Sequence, residues 1–145
     1  DGNGAIEASD RALKIEPQHL GALAMKTHVL YATKHFSEAF ALSERLIARL
    51  PEDPNALFKH AQIAHEAHAY KTEITALEKL IALAESEQRS TTGYRLYLAQ
   101  AYTAAGDGQR ALENFQRVLA DPELPEDQRK FASESIERIK SRTGL

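Results

Sequence analysis

The stretch TGYRLYLAQAYTAAGDGQRALENFQRVLADP, residues 92–122, decides the fold. Its apolar residues recur at intervals of three and four: Leu98, Ala99 and Tyr102 in the first half, Ala111, Phe115 and Val118 in the second. That spacing lines one face of an α-helix. Between the halves stands Gly106-Asp107-Gly108, where glycine takes the left-handed backbone that ends a helix at little steric cost. The stretch therefore reads as a helix, a tight turn and a second helix.

The same unit recurs upstream. A step back of 38 residues carries Ala99 to Ala61, Phe115 to Leu77 and Val118 to Leu80. A step of 34 then carries Ala61 to Thr27, Ile63 to Val29, Leu57 to Leu23, Tyr70 to Phe36 and Leu80 to Leu46. Another 34 carries Ala39 to Ala5, Ile47 to Leu13 and Pro51 to Pro17. This period fits one helical hairpin. The middle unit's surplus, 38 − 34 = 4 residues, is about one helical turn. It falls in the polar run Glu85-Ser86-Glu87-Gln88-Arg89-Ser90, where it lengthens the preceding helix before a Ser/Thr cap. Period-two alternation is sustained nowhere, so the chain is expected to be all-α.

Local signals place the boundaries. Asp53-Pro54 is an N-cap followed by proline at the first helical position; Ser37, and Thr91 or Thr92, are read as further caps. Asp1-Gly2-Asn3-Gly4 is read as a turn signal. Helices are expected at about residues 4–15, 19–33, 37–50, 54–68, 71–87, 92–105, 108–120 and 125–142.

Composition narrows the function. The 145 residues carry 18 basic and 21 acidic side chains, a formal charge of 18 − 21 = −3, with 43% hydrophobic and 27% charged residues. That supports a globular domain with a real core and argues against a disordered tail. There is no cysteine, which removes disulfides, thiolate nucleophiles and Cys-ligated metal centres. Apolar runs such as Leu80-Ile81-Ala82-Leu83-Ala84 are far too short to span a bilayer. The hydrolase elbow and the phosphate-cradling glycine loops are absent, and carboxylate pairs such as Glu134 and Glu137 sit on polar helix faces. No catalytic residue, metal site or cofactor is expected. His65 and His68 are read as sharing a helix face with His60 turned away, all three as ordinary, partly exposed histidines. Arg129, Lys130 and the basic residues of 138–142 are read as a solvated face, because nucleic-acid binding would want a net basic chain with stacking aromatics.

With Leu98-Ala99, Tyr102, Gly106, Ala111, Phe115 and Pro122 in the third unit, and Phe36, Ala39, Leu46 and Pro51 in the first, the chain resembles the tetratricopeptide repeat (TPR) family. The resemblance implies an α-α superhelical solenoid of antiparallel hairpins forming one domain. Its segments are the second helix of a truncated repeat at 1–17, repeats at 18–51, 52–89 and 90–123, and a capping helix at 124–145 with Phe131, Ala132, Ile136 and Ile139 as its apolar stripe. A first helix upstream of residue 1 is then expected. Ala5, Ala39 and Ala111 would mark close helix crossings. Glu73 at the equivalent middle position departs from the pattern, as do Lys26, His60 and Arg95, and these departures predict a middle packing shifted by a residue or so.

The resemblance also implies a function: a non-catalytic scaffold or adaptor whose first helices line a groove for a partner's peptide or helix. Carried across, the groove positions are Met25, His28 and Tyr31; Phe58, Lys59, Gln62 and His65; and Leu96, Tyr97, Gln100 and Thr103. Aromatics with polar tips suit a protein-binding hot spot. The alternative is a structural segment that stacks on upstream repeats or self-associates through its N-terminal end. Recognition of a C-terminal carboxylate is not expected, because the clamp positions hold Ala24, His28, Lys59, Gly93 and Tyr97, and among them Lys59 alone is a fixed charge. Cytoplasmic and periplasmic settings are equally compatible.

Overall fold

The computed structural model describes residues 2–145; Asp1, the first residue of the expected N-terminal turn, lies outside them. Eight helices and no strand occur among the described residues: α1 Gly2–Ile15, α2 Leu20–Ala32, α3 Phe36–Arg49, α4 Pro54–Glu66, α5 Tyr70–Ser86, α6 Thr92–Ala104, α7 Gly108–Leu119 and α8 Glu126–Thr143. The chain forms two compact units, one ending at Ala69 and the other Tyr70–Leu145. None of the eight is long and apolar enough to cross a membrane.

In the first unit α1 packs on α2, α2 on α3 and α3 on α4. Leu30, Ala39 and Ile63 meet at its centre, with Ile6, Tyr31, Phe40 and Leu42 against them. Ala39 is fully buried, as expected of a close crossing between α2 and α3. In the second unit α5 packs on α6, α6 on α7 and α7 on α8, around Leu98, Ala99, Tyr102, Ala111, Phe115 and Val118. Phe131 of α8 meets the Phe115 ring edge-on at 6.2 Å, and Ala132 and Ile139 are buried. The apolar stripe of α8 thus covers α7.

The helix ends share one device. Lys34, His68, Gln88 and Gly106 all have positive φ, between 55° and 82°. At each, the next residue's N–H reaches back to close the helix: His35 to the Leu30 carbonyl, Ala69 to Ala64, Arg89 to Ala84 and Asp107 to Tyr102, at 2.8–2.9 Å. This closure satisfies carbonyls that the helix end leaves open. Only Gly106 supplies the residue type that adopts this backbone freely. Helix α5 has 17 residues, three more than its counterpart α3.

Several sequence expectations change. Gly2-Asn3-Gly4 begins α1 and is helical, not a turn. Ser37 is not a cap: His35 precedes α3, and its side chain makes no capping bond. Thr91 precedes α6 without capping it; its hydroxyl instead accepts from Arg95 Nε at 3.1 Å. The caps that do bond are Asp53, whose carboxylate accepts from the Ala56 N–H at 2.7 Å, Asp107 from Arg110 at 3.1 Å, and His19, whose Nδ1 accepts from Ala22 at 3.1 Å.

The middle packing is not shifted. Lys26, His60 and Leu98, equivalent positions at steps of 34 and 38, all face inward, and so do Ala39, Glu73 and Ala111. The departures are accommodated in register by polar partners. Lys26 pairs with Asp10 at 2.5 Å, His60 bonds Ser43, and Arg95 pairs with Glu85 at 2.7 Å. Arg129 is likewise no solvated charge: its guanidinium donates to the Leu119 and Asp121 carbonyls at 3.2 and 2.9 Å, closing the C-terminal end of α7.

Candidate functional site

The first unit contains a cavity of 280 Å³ between α2, α3 and α4. Its walls follow from the repeat. The inward position occupied by Leu77 in the middle unit and Phe115 in the third holds Ser43 in the first. Leu77 and Phe115 are both large and buried, whereas the smaller serine has the cavity beside it. Thr27, Ser43, His60 and Ile63 are the buried lining residues, Tyr31, Leu46, Leu50 and Ala56 are half-buried, and Ala24, His28 and Lys59 form the exposed rim.

The polar atoms in the floor are satisfied. Ser43 Oγ lies 2.8 Å from His60 Nδ1 and 2.8 Å from the Phe40 carbonyl oxygen, to which it donates. One hydroxyl proton serves that carbonyl, so the imidazole Nδ1–H completes the pair by donating to Oγ. The His60 ring stacks on Phe40, centroids 5.7 Å apart and planes 7° from parallel. Burial holds the His60 pKa below the ordinary histidine value, with the negative charge of Glu44 pulling weakly the other way. The neutral ring is thus the form the fold favours. At the rim, the Lys59 ammonium stands 5.3 Å from the centre of the Tyr31 ring, a cation–π distance. Tyr31 in turn meets Phe36 edge-on at 5.7 Å. Among the described residues, no carboxylate lines the cavity.

Of the seven groove positions expected in this unit, His28, Tyr31 and Lys59 come together on the cavity, whereas Met25, Phe58, Gln62 and His65 do not line it. Met25 is half exposed and Phe58 half-buried on their own helices. His65 and His68 do not share a helix face. His65 lies in the last turn of α4, whereas His68 lies beyond the helix in the left-handed turn. His60 is buried rather than partly exposed, because the serine opposite gives the imidazole a partner. Ser43, Thr27, Leu46 and Leu50 were missed by the sequence reading. Comparing the aligned inward positions Ser43, Leu77 and Phe115 could have found the first of them.

In the second unit, Leu96 and Gln100 are half-buried, and Tyr97 is 44% exposed. Gln100 donates to the Leu96 carbonyl at 3.3 Å and Thr103 to Ala99 at 2.8 Å, both within α6. Thr103 also borders a separate 450 Å³ cleft with Gly106, Gly108, Ser135, Ile139 and Arg142. There Arg138 donates to Ser135 at 3.0 Å.

Successive helical hairpins at a 34-residue step, closed by equivalent left-handed turns, define a helical-repeat fold of the TPR kind. Known structures agree. The chain is similar to a crystal structure of MamA, with a TM-score of 0.75 and 19% identity over 100% of this chain and 80% of that one. It is similar to a structure of MamA, residues 41 to the end, from Desulfovibrio magneticus RS-1, with a TM-score of 0.65 and 25% identity over 82% of this chain and 65% of that one. A third similar structure, described as a kinesin light chain with nearly identical TPR-like repeats from Podospora anserina, gives 0.74 and 21% identity over 99% and 79%. No family model and no curated protein matches the sequence. The fold is the tetratricopeptide-repeat fold.

Proposed function

We propose that this chain is a non-catalytic protein-interaction module that receives a peptide or helix of a partner protein on the exposed faces of α2 and α4. The observation that carries this reading is the cavity of the first unit. It is concave and largely apolar, and it is bordered by three side chains, His28, Tyr31 and Lys59, of the set that the family resemblance implies. Such a combination of apolar floor and few polar rim groups is the usual make-up of a recognition site. Leu96, Tyr97, Gln100 and Thr103 form the equivalent face of α6 and are proposed to contribute contacts of their own. Panning random peptides displayed on phage tests the reading. Peptides selected by the chain should be lost by a Tyr31→Ala, Lys59→Ala double variant that keeps its helical circular dichroism. Selection of no peptide, or equal capture by the variant, would overturn it.

A second reading, association through the N-terminal helix, is favoured by Ile15, which stands 88% exposed at the end of α1. It predicts concentration-dependent dimerisation in light scattering that Ile15→Lys abolishes.

A further inference from the structure

Resting on the proposed interaction role, we infer that the Ser43–His60 cavity is the seat for one aromatic side chain of a partner segment whose flanking residues are acidic. Size is the first argument. An engineered apolar cavity of about 150 Å³ is enough to hold benzene, and 280 Å³ accommodates a ring with its methylene. The space exists because Ser43 occupies the position that Leu77 and Phe115 fill from within in the other units. An aromatic group supplied from outside would restore the apolar packing that an internal side chain provides there.

Charge is the second argument. The rim carries the Lys59 ammonium, and among the described residues no carboxylate lines the cavity, with Glu44 close enough to act on His60 from outside the lining, although the chain as a whole is acidic by three charges. A segment with Asp or Glu beside its aromatic would bring opposite charge to the rim while the ring enters the floor. The chain's own exposed aromatics do not have that form. Tyr97 follows Arg95-Leu96 and Phe131 follows Arg129-Lys130, so a second copy would set basic residues against Lys59. The occupant is therefore a different, acidic protein segment.

The test uses three synthetic peptides, Ac-Asp-Glu-Phe-Glu-Asp-amide, its Phe-to-Ala counterpart, and Ac-Lys-Lys-Phe-Lys-Lys-amide. Each is titrated into the full chain while the imidazole and phenol NMR signals of His60 and Tyr31 are followed. The acidic Phe peptide should move both signals and bind more tightly than the other two. Ser43→Leu, which fills the cavity with the middle unit's residue, should weaken binding about thirtyfold or more, the loss typical of a buried anchor. Ala24→Leu narrows the mouth from an exposed position and serves if the first variant fails to fold; it should act in the same direction. Equal binding of the Phe and Ala peptides, undiminished binding by both variants, or self-association abolished by Ala24→Leu would overturn the inference. Displayed peptides that depend on Tyr31 and Lys59 but lack an aromatic among acids would sink this inference alone and leave the interaction role standing. If no peptide binds in either experiment, both fall.

Discussion

His60 of α4 and Ser43 of α3 face each other across a buried contact of 2.8 Å, imidazole Nδ1 to hydroxyl Oγ. The pair joins two helices at a level where the equivalent residues of α6 and α7, Leu98 and Phe115, are apolar and buried. An apolar layer has been replaced by a polar one whose hydrogen bonds are complete, and the smaller side chain leaves the cavity beside it.

Ser43→Ala should therefore destabilise the chain by about 1–3 kcal/mol, the cost of a buried polar group left without its partner. Chemical denaturation followed by circular dichroism measures it. A change near zero would mean that water replaces the hydroxyl through the cavity.

Stability should also fall on mild acidification. The folded-state pKa of His60 is held below the ordinary value of 6.5 by burial, so the unfolded chain takes up the proton first. The contribution of the neutral ring is complete above pH 6.5 and is lost as pH falls through the depressed folded value. Melting temperatures across that range should decline less steeply in His60→Gln than in the parent chain. An identical slope in both would assign the decline to other groups.

Lys34→Gly and His68→Gly should each stabilise the chain by about 0.5–1 kcal/mol. A residue with a Cβ is strained at positive φ by about 1–2 kcal/mol, and part of the relief is offset by glycine's greater freedom in the unfolded state. Gly106→Ala supplies the opposite sign. Its Cβ would meet no atom within 4 Å, so any loss on thermal or denaturant unfolding reports backbone strain in excess of the unfolded-state entropy gain, with no clash added.

Phe115→Ala should cost about 3–5 kcal/mol, since this ring is 1% exposed and its loss opens a cavity under α8. A loss below about 1 kcal/mol in denaturant titration would show that Phe131 collapses into the space.

Tyr102 should ionise late. Its pKa is pushed up to about 12, first by burial and then by the hydrogen bond to Glu78, in which the phenol donates at 2.6 Å. Ultraviolet absorbance titration should show a tyrosine ionisation near pH 12 that is missing from Tyr102→Phe. Above pH 10 the unfolded chain loses the proton more readily than the folded one, so stability should decline with rising pH until about 12, and Tyr102→Phe should remove that decline.

Much of the fold was legible because helix spacing and repeat spacing are local or periodic properties. Leu98, Ala99, Tyr102, Ala111, Phe115 and Val118 announced a hairpin, and the same phase at steps of 34 and 38 announced its copies. Capping was less legible. His19 caps α2 through an imidazole, an uncommon choice, whereas Ser37, a common cap residue, lies one residue inside its helix. Turns without glycine at Lys34 and His68 were invisible because the strain they carry is sustained by packing on both sides.

The candidate site was legible only in outline. The family resemblance implied His28, Tyr31 and Lys59 as groove positions, but the cavity between them depends on a side chain that is small where its counterparts are large. The sequence by itself determined the helices, their order and which face of each turns inward, because a 3.6-residue period and a recurring hairpin leave little choice of secondary structure. The tertiary structure alone decided what becomes of the residues that break the pattern. Whether a buried serine and histidine are errors or partners depends on the 2.8 Å between residues 17 apart on different helices, and packing volume is a property of neighbours in space that no spacing along the chain records.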